Sequence, residues 1–448
     1  YTTDGGTKDT LDKGAIPEEG VYAAVDFSTG DDPLPIFELQ KRYNAPGKSP
    51  RLSAEFYTGW LTHWGEPNVR TDANLAAASL EKILSLNASA VLYMAHGGTN
   101  FGFFNGANTN QNESDYKPDL TSYDYDAPIK ESGDVDNPKY RELRNVIAKY
   151  SKSPLPPVPS GNGRAEYRMV KVNKIGSLFD ALDLMCLPTE VVETKEPVPM
   201  ELVGQRFGFL LYESEFSEKE SKCTLSIPKV HDRAQVFVSC SSKDDQGRPV
   251  YVGIIQRGSN CELEIPNIKC SLKIRLFILV ENMGHVNYGP YIYDRKGILS
   301  SVALDGNNIH GWKMYPISLE KFSPLKEKVR LLAGFNANKI ASRKHSKNVS
   351  EEPRFYEAHY CIDPNDQIKD VFISFQGWNK GVAFVNNFNI GRFWPSLGPQ
   401  CTLYVPAPIL RHGKNVVVIF ELHAPNPELT IEFVQQPNFT CGHFQRQV

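Results

Sequence analysis

Two spacings of apolar residues divide the chain. Up to about residue 150, short apolar runs alternate with stretches in which apolar residues recur at helical spacing; beyond about residue 165, period two dominates. The first pattern predicts strands feeding helices, and the second predicts half-buried strands of antiparallel sheets. "VYAAVDFST" (21–29), "RLSAEFYTGW" (51–60) and "SAVLYMA" (89–95) predict three strands. The spacing predicts a helix over 71–86, with Thr71 and Asp72 as cap candidates and Leu75, Leu80, Ile83 and Leu84 facing inward. Asn137 as N-cap and Pro138 in the first turn predict another helix, with Tyr140, Leu143, Val146, Ile147 and Tyr150 on one face. Between the third strand and that helix lies a long Gly/Asn loop, "HGGTNFGFFNGANTNQN" (96–112).

Strand–helix units of this kind imply a parallel α/β sheet, and a (β/α)₈ barrel is the leading form. Three strands do not close a barrel that needs eight. Either the sheet is open, or the chain is the carboxyl-terminal part of something longer.

A Pro-rich linker, "SPLPPVPSGNG" (153–163), marks the change of pattern. After it come short β-branched or aromatic segments separated by turn residues, among them "AQVFVSC", "KIRLFILV", "GVAFVNNFNIGRFW" and "VVVIFEL". These predict antiparallel sandwiches. The last but one reads as a hairpin turning at Asn386 and Asn387, with a structural rather than a sugar-binding role favoured. The expected division is 1–152 for the carboxyl-terminal part of a barrel and 153–195 for linker and connecting strands. A first sandwich follows over 196–320 and a second over 321–448, parted near 320–345, where the sequence turns basic and loses alternation.

Composition narrows the function classes. With 448 residues, 41% hydrophobic content and a net charge of -3, the chain has the make-up of a multidomain globular protein. That charge gives no reason to expect nucleic acid or an anionic membrane as partner. No apolar run reaches the ~18 residues of a membrane-spanning helix. All eight cysteines lie beyond residue 185 without zinc-ligand spacing, so disulfides and buried thiols both remain open and no metal is implied. Sequons at Asn87, Asn112, Asn348 and Asn438 lean toward a secretory route, Asn87 being disfavoured by its place between a helix and a strand.

The chemistry centres on "SAEFYTGWLTHWGE" (53–66), which sets Glu55 at the carboxyl end of a strand beside Phe56, Tyr57, Trp60, His63 and Trp64. Barrel enzymes carry their catalytic groups at strand carboxyl ends. A solvated or ion-paired glutamate is the bland reading. Tyr93 ends the next strand, and Tyr123 and Tyr125 lie in "LTSYDYDAP" (120–128). Singly, each aromatic is explained by packing; together, on loops leaving one end of adjacent strands, they fit a saccharide pocket, because sugar C–H faces stack on aromatic rings. Asp26, Glu66, Asp124 and Asp126 are the other acids in range, Asp124 and Asp126 being expected to orient their loop. No Rossmann fingerprint, phosphate loop, HExxH or GxSxG is present, so no cofactor is expected.

With "LYMAHGGTNFGFFNGAN", "TSYDYDAP", "VENMGHVNYG" and "FQGWNKGVAFVNNFNIGRFWPSLGPQCTLYVP", the Glu55 motif resembles the β-galactosidases of glycoside hydrolase family 35, in the animal lysosomal form. The likeness runs to about residue 434. It implies α/β plus all-β architecture: a partial (β/α)₈ TIM barrel followed by two galactose-binding-like β-sandwiches. It implies retaining removal of terminal β-linked galactose, with Glu55 as nucleophile and Trp60, Tyr93, Tyr123 and Tyr125 lining the galactose site. The family's acid/base glutamate, in an "ENEYG"-like motif, has no counterpart in residues 1–54. The expectation is therefore a carboxyl-terminal fragment, inactive alone, whose partner is the missing amino-terminal barrel segment. A secretory destination (lysosome, vacuole or extracellular space) follows from the resemblance, and a homo-oligomer is compatible with it. The alternative is a non-catalytic carbohydrate-binding or interaction protein.

Overall fold

A computed structural model describes residues 5–442 apart from 17, 19, 162, 164, 166–167, 218–220, 241–246, 271–272, 318 and 320–350. The division expected near 320–345 and the sequon at Asn348 lie outside the described residues. Two compact units emerge. The first comprises 1–62, 66–99 and 122–163, and the second comprises 63–65, 100–121 and 164–448.

In the first unit, β1 (Val25–Ser28), β2 (Leu52–Tyr57) and β3 (Ser89–Tyr93) form a parallel sheet with β2 in the centre. Helices α1 (Lys8–Gly14), α2 (Pro33–Gln40), α3 (Ala73–Ser85) and α4 (Pro138–Tyr150) accompany it. This is the partial (β/α) barrel that the alternation of patterns predicts. Asp72 caps α3 by accepting the Leu75 N–H at 2.8 Å, and Asn137 caps α4 by accepting that of Tyr140 at 3.0 Å. Phe27, Phe56, Leu80, Ile83, Leu143 and Val146 meet in one buried core.

Leu75 departs from expectation: it is 49% exposed. The buried stripe of α3 runs through Ala76, Ala77, Leu80 and Ile83, and Leu75 lies five positions before Leu80, about 140° around the helix. Strand β3 is also less buried than its apolar sequence suggests, with Val91 47% exposed. Among the described residues nothing pairs with its outer edge.

The second unit holds the sandwiches. A six-stranded sheet centres on Arg233–Cys240, Ile274–Glu281 and Phe209–Phe216, accompanied by a four-stranded sheet around Cys223–Ser226. Alternate residues such as Leu210, Tyr212, Val236, Ile278, Val280 and Trp312 fill its core. The other sandwich is discontinuous in sequence. Arg168–Ser177, from the connecting segment, pairs with Thr430–Val434 through its first half and with Arg354–Ile362 through its second. The hairpin of Gly381–Val385 and Phe388–Phe393 turns at Asn386 and Asn387, both in the left-handed region (φ 50° and 74°). Asparagine tolerates that conformation better than other side chains. Half of the cysteines form disulfides, Cys240–Cys270 and Cys401–Cys441, and the other four are not part of either bond.

Candidate active site

Pleating sorts the side chains of β2 onto two faces. Phe56 is buried on the core side with Val25 and Phe27, while Glu55 and Tyr57 share the opposite face, a bulge between Ser53 and Glu55 interrupting the alternation just before them. Glu55 is half-buried, and Tyr57 donates its hydroxyl to Glu55 Oε2 at 2.7 Å. Among the described residues, Oε1 accepts no hydrogen bond. Burial, and then the neighbouring Glu55 carboxylate, push the Tyr57 hydroxyl well above the ordinary tyrosine range. The phenol therefore stays a donor. Asp26 lies opposite Glu55 in the β1–β2 ladder, but it is buried and its Oδ2 accepts the Gly5 N–H at 3.1 Å.

Four aromatic rings close a circuit beside Glu55. Tyr57 lies 5.3 Å from Trp60, Trp60 5.9 Å from Tyr125, Tyr125 5.5 Å from Tyr93, and Tyr93 5.8 Å from Tyr57. Tyr123 adds a fifth ring, 5.4 Å from Tyr125. Three of the four contacts of the circuit are edge-to-face, which suits the ring quadrupoles. Trp60 remains 46% exposed, so much of the indole is open to a ligand. Glu55, Trp60, Tyr93, Tyr123 and Tyr125, singled out in the sequence, thus all belong to the first unit and surround the end of β2.

The other neighbours in "SAEFYTGWLTHWGE" separate from this group. Phe56 belongs to the core of the first unit. His63 and Trp64 belong to the second unit, where His63 Nε2 lies 2.8 Å from Asn108 Oδ1 and Trp64 6.3 Å from Trp394. The aromatic crowd of the sequence is therefore two groups with different surroundings.

The loop carrying Tyr123 and Tyr125 is held in an unusual backbone conformation. Tyr125 and Asp126 both have positive φ (61° and 50°), which costs about 1–3 kcal/mol per residue. The Asp126 carboxylate offsets that cost by accepting from Lys139 Nζ at 2.6 Å, Thr71 N–H at 2.9 Å, Arg70 at 3.0 Å and Lys130 at 3.1 Å. Burial works to raise the Asp126 pKa, yet hydrogen bonds from Lys139 and Thr71 prevail and hold it below the ordinary range. Lys139 Nζ also donates to the carbonyls of Thr58 at 2.8 Å and Asp126 at 2.6 Å, tying the loops after β2 and β3 together. At Gly59 a Cβ would fall 1.9 Å from the Tyr125 carbonyl oxygen, so only glycine lets these loops meet.

Under Tyr123 runs a two-residue ribbon, Gly98–Thr99 against Ser122–Tyr123. The buried Glu131 carboxylate bridges it, accepting Thr99 Oγ1 and Ser122 Oγ at 2.6 Å each. Burial pushes Glu131 up to about 8, against the effect of those two hydroxyl bonds. Asp124 Oδ1 in turn accepts the Glu131 N–H at 2.9 Å, a loop-orienting bond of the kind its sequence context predicts. Sequence reasoning passed over Lys139 and Glu131. Both stand in polar stretches that read as solvated surface, and nothing in spacing alone marks them.

Elsewhere, in the second unit, His231, Asp232 and Asp294 present metal-ligand types in close proximity. Lys296 Nζ lies 2.7 Å from Asp232 and 2.8 Å from Asp294, and Arg257 lies 3.2 Å and 2.8 Å from the same two. These side-chain cations occupy the place a metal would need, so the donor set does not fit one.

Comparison with known proteins agrees with this layout. Residues 1–150 match the profile of glycosyl hydrolases family 35. Residues 197–318 match the β-galactosidase first all-beta domain, and 353–415 the β-galactosidase galactose-binding domain. Beta-galactosidase 8 of Oryza sativa subsp. japonica is 59% identical over 99% of this chain and 68% of its own length. Beta-galactosidase 17 of Arabidopsis thaliana is 60% identical over 99% of this chain and 63% of its own length. The β-galactosidase of Bos taurus is 39% identical over 98% of this chain and 65% of its own. The chain thus spans roughly two thirds of the length of these relatives.

Proposed function

The chain belongs to glycosyl hydrolase family 35, and from that premise we propose that it forms part of a retaining exo-β-galactosidase acting on terminal β-D-galactose of oligosaccharides or glycoconjugates. Glu55 is the nucleophile. Its free Oε1 attacks the anomeric carbon, the glycosidic bond breaks, and a galactosyl ester forms that water then hydrolyses. Tyr57 holds the other carboxylate oxygen and fixes the attacking one. Trp60 offers its open face to the C–H surface of the sugar, and Tyr93, Tyr123 and Tyr125 wall the pocket.

The observation that carries this reading is a carboxylate with one oxygen anchored and one free, set beside a circuit of aromatic rings. Retention also requires a second carboxyl about 5–5.5 Å away to protonate the leaving oxygen. Asp126 is held by its cations, and Asp26 is buried with Oδ2 on the Gly5 amide; we take neither as that second carboxyl. We assign the acid/base to the portion of the enzyme that this chain does not span. A secretory destination accords with the two disulfides.

The test is direct. The chain alone should not hydrolyse a chromogenic β-galactoside; turnover matching a full-length relative would overturn the assignment of the acid/base. In the full-length enzyme, a fluorinated galactosyl inactivator should attach to Glu55. Attachment to another side chain would remove Glu55 from its role, and saturable galactose binding without any attachment would favour a binding protein instead.

A further inference from the structure

We infer that Asn112 and Asn438 are N-glycosylation acceptors, and that Asn87 is not. Four sequons stand in the sequence, and three of them lie among the described residues, where their conformations differ. At Asn112, which is exposed, Oδ1 accepts the Ser114 hydroxyl at 2.5 Å and the N–H groups of Ser114 and Asp115 at 3.0 and 2.9 Å. At Asn438, which is half-buried, Oδ1 accepts the Thr440 hydroxyl at 2.8 Å and the Thr440 N–H at 2.9 Å. In both, every side-chain contact falls on the amide oxygen. Among the described residues neither Nδ2 has a partner. The acceptor nitrogen is therefore uncommitted, and the hydroxyl of the motif sits against the amide it must assist.

Asn87 carries the same motif in a different state. It sits in the left-handed region (φ 55°) between α3 and β3, and Ser89 is already in β3, its N–H given to the Arg51 carbonyl at 2.9 Å. No hydroxyl of Ser89 reaches the Asn87 amide among the described residues. The motif is present there without the turn.

The redox state of the cysteines supplies an independent argument. Cys240–Cys270 and Cys401–Cys441 are bonded, and structural disulfides persist in the oxidising lumen where glycan transfer takes place. The second of them ends three residues after Asn438. In the transfer, Asn Nδ2 forms a bond to the anomeric carbon of the first sugar of a lipid-pyrophosphate-linked oligosaccharide. The bond from that carbon to the pyrophosphate oxygen breaks, the lipid pyrophosphate leaves with the electron pair, and the amide gives up one proton.

The experiment uses the protein as isolated from the cells that make it. A peptide N-glycanase acting in heavy-oxygen water converts each glycosylated asparagine to labelled aspartate, which peptide mass spectrometry locates. Label at Asn112 and Asn438 with none at Asn87 is the expected result. Unlabelled Asn112 and Asn438, or label at Asn87, overturns the inference. Ser114→Ala in a secretory host provides a second readout: it should remove one glycan while leaving Asn112 in place, and an unchanged glycan count would exclude that site.

Discussion

Glu55 and Glu421 both stand near the carboxyl end of a strand, Glu421 as its final residue and Glu55 two positions short of it, and the fold treats them in opposite ways. Glu421 closes the strand Gly413–Glu421 in the second unit, is 0% exposed, and accepts the N–H groups of Asn379 and Lys380 at 3.1 Å and of His423 at 2.9 Å. Glu55 lies two residues before the end of β2, half-buried, with one oxygen on Tyr57 and the other uncommitted. A carboxylate whose lone pairs are spent on backbone donors cannot attack a sugar; it can only hold a turn in place. A carboxylate kept partly unsatisfied adds little to stability and is available for bond formation. Glu281 extends the lesson, since Lys380 at 2.8 Å and Arg392 at 3.3 Å neutralise it within the buried core of the second unit.

Reciprocal substitutions test that contrast most severely. In the full-length enzyme, Glu55→Gln should lower kcat by about 10⁴-fold or more while leaving the melting temperature nearly unchanged. Glu421→Ala should do the reverse, costing about 3 kcal/mol of stability with activity per folded molecule preserved, because three buried N–H groups lose their acceptor. Steady-state kinetics and denaturant melts on the two variants decide it. A stability loss at position 55 equal to that at 421 would erase the distinction.

A smaller effect sharpens the part played by Tyr57. Tyr57→Phe keeps the ring in the aromatic circuit and removes only the bond to Glu55. Hydrogen bonds to charged groups contribute about 1.5–3 kcal/mol, so kcat/KM should fall roughly ten- to a hundredfold with little change in stability. Unaltered kcat/KM would mean that Glu55 does not depend on this anchor.

Glu131 stands between the two extremes, and pH is the means of examining it. Burial lifts it from the ordinary 4.5 to about 8, so the folded form keeps a proton over a range in which the unfolded chain has lost it. The stability this contributes is complete below pH 4.5 and declines as pH rises toward 8. Thermal melts should show the first unit several degrees less stable at pH 8 than at pH 5, and Glu131→Gln should flatten the difference. A wild-type profile that stays level between those values would contradict the buried, proton-holding state.

Local regularities explain why so much could be read from residues alone. Helix caps at Asp72 and Asn137, the pleat that separates Glu55 from Phe56, and the Asn386–Asn387 turn each depend on a few neighbouring residues. The same holds for the change from helical to period-two spacing that separates barrel from sandwiches. The sequence also placed Glu55, Trp60, Tyr93, Tyr123 and Tyr125 near strand ends and in the motifs following them, the group that the proposed function assigns to a sugar. Long-range packing alone decided the rest: that His63 and Trp64 leave the group, that Arg168–Ser177 completes a sandwich far along the chain, and that Lys139 and Glu131 are buried. The fate of a charged side chain depends on which distant donors and acceptors surround it, and no local spacing encodes that neighbourhood.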